Sequence, residues 1–139
     1  MRKLAIAATM AIAMMGAVAA QDPSAEANGP FLLFFDWEKP DITSDAAAVL
    51  DQAALVNRQK AGAYLLIAGH TDRSGRASYN LLASRRRAEA ARAELIKRGV
   101  PAGAIAVVAY GEGRPIVPTE DGVREVQNRH VEIGFVVGQ

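Results

Sequence analysis

The feature that most constrains the fold is an alternation of strand-length apolar runs with helix-length segments between Phe31 and Val137. The first run, Phe31 to Phe35, is continuously apolar, which is typical of a strand buried on both faces. Further strands are predicted from three later runs, at residues 63–68, 104–110 and 129–137. The chain therefore reads as one domain built around a single sheet.

Two helices are predicted between these strands. The first has capping oxygens within residues 43–45 and continues towards Lys60, and the second starts at a capping Ser78 and continues through Arg98. Gly99 then marks a helix stop. The resulting order, β-α-β-α-β-β, predicts an α+β two-layer sandwich, with a mixed four-stranded sheet and two main helices on one face. No helix separates the last two strands, so we expect them to be antiparallel.

The first twenty residues have the pattern of a secretory leader. Arg2 and Lys3 form a basic start, the apolar core Leu4 to Met15 is 12 residues long, and small residues up to Ala20 suit a cleavage site. A membrane span needs about 20 apolar residues, so this core is too short for one. We therefore expect a signal peptide at 1–20, a flexible lead-in at 21–30 and the domain at 31–139.

The chain has no cysteine and a formal net charge of +1. The lack of cysteine excludes a disulfide scaffold, a thiolate metal site, a cysteine nucleophile and the acylation site of a bacterial lipoprotein. The small net charge argues against a nucleic-acid partner. We therefore expect an exported domain with neither a membrane span nor a lipid anchor in the mature chain.

Sequence signatures of catalysis are missing from the chain. It has no G-x-S-x-G elbow, no H-E-x-x-H, no Walker loop and no obvious pair of carboxylates. His70 and His130 lie in different elements, and each is followed two residues later by a carboxylate, at Asp72 and Glu132. We expect no metal there, since imidazoles near strand ends are usually hydrogen-bonded and two histidines fall short of the usual zinc sites. We also expect no cofactor and no enzymatic activity.

Two polar segments, Gly69–Gly75 and Asn80–Ala88, stand out against this background. The first ends a strand at a carboxylate, Asp72, and leads into a helix. The second carries three consecutive arginines, and because successive helical residues point about 100° apart, at most one of them faces inward. Arg87 shares the alanine-rich face of the helix and is the one placed to reach over the sheet edge. A solvated basic face is the alternative interpretation.

Six short motifs follow one another along the predicted domain. They are Phe35-Asp36-Trp37, Gly69-His70-Thr71-Asp72, Asn80-x-x-x-Ser84-x-x-Arg87-Ala88, Gly99-Val100, Tyr110-Gly111-Glu112-x-x-Pro115 and Asn128-Arg129-His130-Val131-Glu132-Ile133. In this order they resemble the OmpA-like C-terminal domain family, which includes the peptidoglycan-associated lipoproteins and the stator protein MotB. The resemblance extends from Phe31 to Val137, and six ordered motifs are far more specific than any single one.

The resemblance implies the same β-α-β-α-β-β sandwich and non-covalent binding of the peptidoglycan stem peptide. Asp72 and Arg87 match the family positions that hold diaminopimelate. The free end of this residue carries an ammonium and a carboxylate on one carbon, which a carboxylate and a guanidinium fork complement. Amides at the helix N-termini add partial positive charge for further carboxylates.

Secondary pocket residues are also implied by the resemblance: Asp36, Thr71, Asn80 and Arg129. Each is equally typical of a plain cap, turn or strand end. The chain departs from the family pattern at three positions. Ala83 replaces a leucine and is expected to widen the pocket wall, and Trp37 is larger than many residues found at its position. His130 replaces the second arginine of N-R-R, and we expect it to point away from Arg129 and to affect the surface more than binding.

The resemblance further implies a periplasmic, peptidoglycan-associated protein of a Gram-negative envelope, peripheral to the outer membrane and supporting envelope integrity. Outer-membrane or other envelope proteins are its implied partners besides the stem peptide. Two alternatives stay open: an envelope interaction or assembly module without wall binding, and a cell-wall-active enzyme. The presence of both Asp72 and Arg87 argues against the first. The lack of a nucleophile, metal or acid–base pair argues against the second.

Overall fold

The computed structural model describes residues 30–60 and 62–137. Its elements are β1 (Phe31–Phe34), α1 (Ser44–Gln59), β2 (Ala63–His70), α2 (Ala77–Lys97), β3 (Ile105–Gly111) and β4 (His130–Val137), with 3-10 turns at Ala102–Ala104 and Val126–Asn128. No helix in these two ranges is long and apolar enough to cross a membrane. The predicted signal peptide, and the lead-in up to residue 29, lie outside the described residues.

The strands form one four-stranded sheet in the order β1-β4-β2-β3. β4 is antiparallel to both of its neighbours, β1 and β2, whereas β2 and β3 are parallel and are connected through α2. The predicted α+β order and the mixed sheet are therefore confirmed. β3 and β4 do run in opposite directions, but they do not pair, because β2 lies between them.

Both helices pack on one face of the sheet and enclose a single core. Strand residues at alternate positions face the helices: Leu33, Leu65, Ile67, Val131 and Ile133. Leu50 of α1 and Leu95 of α2 are completely buried against them. Burying one apolar stripe of each helix on one face of the sheet produces the two-layer sandwich that the sequence predicted.

The two helices begin differently. Thr43 caps α1, since its Oγ1 accepts a hydrogen bond from the Ala46 amide at 3.1 Å. α2 begins at Ala77, after an extended Arg76 that provides no capping hydrogen bond. The predicted capping role of Ser78 is therefore wrong, because Ser78 already lies inside the helix.

The position of β1 contradicts the expectation that this strand is buried on both faces. It lies at the edge of the sheet and pairs only with β4. Leu33 is buried against the helices, whereas Phe34 is 40% exposed on the other side. The run is apolar throughout, but α1 covers only one of its faces, so β1 is not buried on both.

Among the described residues, no helix covers the second face of the sheet, and this face without helices is exposed at one end and buried at the other. Tyr64 and Val136 are more than half exposed there, whereas His70 and His130 are 3% and 1% exposed. The expectation that His130 would affect the surface is therefore wrong. Its ring stacks on His70 and lies against Phe34, which shields it from solvent.

Candidate functional site

A cleft opens where the end of β2 meets the start of α2. Loop 71–76 connects these two elements, segment 37–40 after β1 forms the facing wall, and Arg129 lies at the base just before β4. The lining residues are Trp37, Glu38, Lys39, Pro40, Thr71, Asp72, Ser74, Gly75, Tyr79, Asn80, Ala83, Arg86, Arg87 and Arg129. The enclosed volume of the cleft is about 130 Å³, which is smaller than a pocket that buries a whole drug-sized ligand.

Close packing of α2 on the sheet sets the position of Arg87. A Cβ at Gly69 would lie 2.0 Å from the backbone carbonyl oxygen of Ser84, so glycine is required there. The Ser84 hydroxyl accepts a hydrogen bond from the Gly111 amide at 3.0 Å and donates one to the Leu81 carbonyl at 2.7 Å. Arg87 follows Ser84 by about one helical turn, so these contacts hold its side chain over the end of β2.

Asp72 is 2% exposed and is surrounded by hydrogen-bond donors. Its Oδ1 accepts from the Ser74 amide at 3.1 Å and from the Ser74 hydroxyl at 2.5 Å. Its Oδ2 accepts from the Glu125 amide at 3.1 Å and from Nη1 of Arg129 at 2.8 Å. The sequence did not predict the buried ion pair with Arg129, which joins residues far apart in the chain.

These donors determine the protonation state of Asp72. Burial by itself raises the pKa of the carboxyl, but hydrogen bonds from the Ser74 and Arg129 side chains and from the Glu125 and Ser74 amides outweigh it. The pKa of Asp72 is therefore below its ordinary value of 3.8. Asp72 supplies a fixed negative charge in the cleft at neutral pH.

Arg87 is 4% exposed and holds an inward position, as predicted, whereas Arg85 and Arg86 are exposed. Its Nη1 donates to the His70 carbonyl at 3.3 Å and its Nη2 to the Asp36 carbonyl at 3.5 Å. Within the described residues no carboxylate lies within 4.0 Å of it. The cleft thus contains a buried guanidinium that backbone carbonyls hold and that forms no ion pair with any carboxylate in the described part of the chain.

Burial and the neighbouring charges shift the pKa of Arg87, some of them downwards and others upwards. Burial lowers the pKa of Arg87 most, and the positive charge of Arg129 lowers it further, while Asp72 and Tyr79 oppose both effects. A guanidinium remains protonated in proteins despite such shifts. An anion bound beside Arg87 would relieve the repulsion between the two arginines.

Of the other predicted site residues, Thr71 and Asn80 line the cleft, whereas Asp36 does not. Thr71 is buried and lines the cleft, and its Oγ1 has no hydrogen-bond partner among the described residues. Asn80 braces loop 71–76, because its Nδ2 donates to the carbonyls of Asp72 at 3.3 Å and Ser74 at 3.0 Å. The Asp36 side chain is exposed and does not line the cleft, to which this residue contributes its backbone carbonyl.

Several residues of the cleft were not predicted as site residues, and Ser74 and Trp37 are two of them. Ser74 donates to Asp72 and accepts a hydrogen bond from Nε1 of Trp37 at 3.1 Å. The Trp37 ring is 37% exposed, and the guanidinium of Arg124 lies 3.3 Å from its centroid. An exposed tryptophan beside polar residues was the available signal for this wall. Ala83 lines the cleft where the motif pattern usually has a leucine.

The start of α2 adds positive character to the cleft. Its N-cap residue, Arg76, makes no capping hydrogen bond, so the first-turn amides have no side-chain acceptor there. Tyr79 and Asn80 of this turn line the cleft. Amides at a helix N-terminus favour a carboxylate or another anion.

The α+β sandwich carries a charged cleft at its strand ends, which contains the buried Arg87 and the ion pair of Asp72 with Arg129. The chain belongs to the OmpA family, whose model matches residues 34–129. The resemblance that its six motifs indicate is thereby confirmed.

Curated relatives support this membership. The outer membrane protein of Gluconacetobacter diazotrophicus is 41% identical over 109 residues, covering 74% of this chain and 29% of that protein. The peptidoglycan-associated lipoprotein of Haemophilus influenzae is 33% identical over 103 residues, covering 74% of this chain and 67% of that protein. The chain thus spans under a third of the first relative and two thirds of the second.

Solved structures have the same fold. The peptidoglycan-associated lipoprotein of Burkholderia pseudomallei matches with a TM-score of 0.73 at 29% identity, covering 83% of this chain and 100% of that chain. The C-terminal domain of Helicobacter pylori MotB matches with a TM-score of 0.68 at 22% identity, covering 79% and 85%. The MotB likeness supports the fold alone.

Proposed function

We propose that this domain binds peptidoglycan non-covalently, through the diaminopimelate of the stem peptide, in the periplasm of a Gram-negative envelope and without catalysis. Membership of the OmpA family and the peptidoglycan-associated relatives support wall binding near the outer membrane. The single observation that carries the finer proposal is Arg87. It is a buried guanidinium with no carboxylate partner in the described part of the chain, and it lines a cleft that also contains Asp72.

The carboxylate of diaminopimelate pairs with Arg87 in this proposal. The guanidinium fork matches a carboxylate in a bidentate geometry, and its burial strengthens the attraction. The pair also needs little reorganisation, because the His70 and Asp36 carbonyls already orient Arg87. The amides at the start of α2 supply partial positive charge for a further carboxylate of the peptide.

The ammonium of diaminopimelate pairs with Asp72. A carboxylate has about four acceptor positions, and four donors already occupy those of Asp72. The ammonium therefore replaces one of these donors. We expect the Ser74 hydroxyl to be displaced, because a change of one side-chain rotamer moves it, with loss of its hydrogen bonds to Asp72 and from Trp37. Arg129 is harder to move, since it is also anchored to the Phe35 carbonyl at 3.1 Å.

A retention assay on purified sacculi tests this mechanism. We expect Asp72→Asn and Arg87→Lys each to weaken binding by about 30-fold or more, because breaking one charge pair in a buried site costs about 2 kcal/mol or more. Asn keeps the size and part of the hydrogen bonding of Asp72, and Lys keeps the positive charge of Arg87. Arg85→Ala is the matched control, since Arg85 is the exposed neighbour on the same helix.

Specificity is tested with sacculi that contain lysine in place of diaminopimelate. Lysine lacks the second carboxylate, so we expect retention on these sacculi to fall to the level of Arg87→Lys. Equal retention on both kinds of sacculi, with folded variants, would overturn diaminopimelate recognition while leaving general wall binding intact. Unchanged retention of both variants on diaminopimelate sacculi would overturn the assigned roles of Asp72 and Arg87.

The two alternative functions predict different results in the assay on sacculi. An interaction module without wall binding predicts that the wild-type protein is not retained on sacculi at all. A cell-wall-active enzyme predicts that soluble fragments are released from the sacculi during incubation. We expect retention without release.

A further inference from the structure

A row of aromatic rings crosses all four strands on the face of the sheet without helices. Phe34 of β1, His130 of β4, His70 of β2 and Tyr110 of β3 lie side by side. The two imidazoles are at the centre of this row, nearly parallel at 7° and with their centroids 4.2 Å apart. The antiparallel β2–β4 register explains this position. Gly69 pairs with Val131, so His70, which follows Gly69, lies beside His130, which precedes Val131.

Three of the four ring nitrogens of these imidazoles are buried without a hydrogen bond of standard geometry in the described part of the chain, although backbone groups of Arg114 and of residues 127–128 lie near the two rings. Neither Nδ1 nor Nε2 of His70, nor Nδ1 of His130, has a hydrogen bond of standard geometry within the described residues. Both side chains are more than nine-tenths buried. Burying such groups unsatisfied costs free energy, so their retention at the centre of the face is evidence for a ligand. Two reasons led to the prediction of no metal: imidazoles near strand ends are usually hydrogen-bonded, and two histidines fall short of the usual zinc sites. The first reason does not hold for these three nitrogens.

Glu132 completes a set of three donors. It follows His130 by two residues and therefore lies on the same face of β4. Its Oε2 is 3.8 Å from Nε2 of His70, and its side chain is 43% exposed. One donor atom from each of the three residues lies within 4.8 Å of the others.

We propose that His70, His130 and Glu132 form a binding site for a divalent transition-metal ion of the zinc type. Two imidazole nitrogens and one carboxylate oxygen are a ligand set that Zn²⁺ accepts, with a further position left for water. The exposed side of Glu132 is the route by which the ion and this water enter. The donor atoms of this site lie on the face without helices and none of them lines the cleft, although the backbone carbonyl of His70 also holds Arg87.

Modest movement brings the donors to metal distance. Donor atoms around a tetrahedral Zn²⁺ are separated by roughly 3.4 Å, which follows from bond lengths of about 2.1 Å. The exposed Glu132 side chain can change rotamer, and the two rings tilt out of their parallel stack.

Titration calorimetry with Zn²⁺ alone, on untagged protein, tests the proposal. We expect one ion per chain and a higher unfolding temperature in the presence of the metal. Glu132→Gln should weaken binding at least tenfold, and His130→Phe should abolish it. Phenylalanine keeps a ring stacked between Phe34 and His70 but has no donor atom. Co²⁺ bound in place of Zn²⁺ should give a visible absorption band that is missing in His130→Phe.

Glu89→Gln is the matched control, because Glu89 is an exposed carboxylate on α2, outside the site. If His130→Phe does not fold, as judged by circular dichroism without metal, the exposed Glu132→Gln variant carries the test. Absence of Zn²⁺ binding by the wild-type protein would overturn the proposal. Binding that persists equally in the folded site variants would also overturn it, by showing adventitious surface binding. Retention on sacculi is measured separately, so failure of one proposal does not imply failure of the other.

Discussion

Arg129, just before β4, is joined by three hydrogen bonds to the residues that follow β1 and β2. Its Nη1 donates to Asp72, its Nε donates to the Phe35 carbonyl, and its own carbonyl accepts from the Phe35 amide at 3.0 Å. The Asp72–Arg129 pair is almost completely buried, with side chains 3% and 11% exposed. Removing one partner of such a pair leaves an uncompensated buried charge, which is more damaging than the pair is stabilising.

The acid sensitivity of folding should therefore depend on Asp72. The pKa of Asp72 in the folded protein is below its ordinary value of 3.8, so the ionised form stabilises the folded state. This contribution is fully present above the unfolded-state pKa and is lost as the pH falls through the lower folded-state pKa. We expect the difference in unfolding free energy between wild type and Asp72→Asn to be constant from about pH 7 to 5 and to shrink below about pH 4.

Urea denaturation across this pH range, with EDTA present, measures that difference. Asp121→Asn is a suitable control, since the Asp121 side chain is 78% exposed. A difference between wild type and Asp72→Asn that stays constant down to the most acidic pH would contradict the role assigned to the ionised carboxyl.

At the scale of elements, the contact between α2 and the end of β2 positions the site. Gly69 is the point of closest approach, and the nearest atom there belongs to the helix backbone, which cannot rotate away. Separating the two elements to fit a methyl group would also disturb the hydrogen bond from the Gly111 amide to Ser84. The fold and the position of Arg87 thus depend on the same contact.

Gly69→Ala tests this contact. We expect it to lower the free energy of unfolding by about 3 kcal/mol, at the upper end of the usual cost of overpacking. Gly103→Ala is the matched control, because nothing lies within 4 Å of a Cβ at Gly103. Urea denaturation gives both values. Equal stability of the two variants would show that α2 shifts without cost and that the contact does not fix the cleft.

At the scale of the whole molecule, the two described helices cover one face of the sheet, and within residues 30–60 and 62–137 no helix covers the other face. The core cluster draws all of its residues from Leu33 to Ile133, within the described part of the chain. The described residues of the cleft and the histidine pair all lie between Trp37 and His130. We therefore expect the domain at 31–139 to fold and bind by itself, and the predicted leader to affect where the protein is found.

Expression of a chain that starts at Gln21 tests this division. We expect it to remain in the cytoplasm of a bacterial host, because the predicted leader is missing, whereas the full chain is exported. After purification, both should show the same retention on sacculi. Cell fractionation and the retention assay measure the two properties. Recovery of the shortened chain from the periplasm would contradict the leader assignment.

Local sequence patterns were sufficient to predict part of the fold and part of the candidate site. The alternation of strand and helix periods predicts the element order, because each element forms from neighbouring residues. Helical geometry singles out Arg87 of three arginines, since only one direction on a helix faces the sheet. The motifs identify Asp72 as a candidate site residue and indicate the family. Both inferences can be made without knowing which strands pair.

Only the tertiary structure decided which distant residues meet. β4 inserts between β1 and β2, and this register brings His130 onto His70 and places Arg129 beside Asp72. Strand order and register arise from the packing of the whole sheet, and no local run of residues records them. The sequence by itself therefore determined the elements and the residues of the proposed wall site. The ion pair that fixes Asp72 and the buried histidine pair came from the fold.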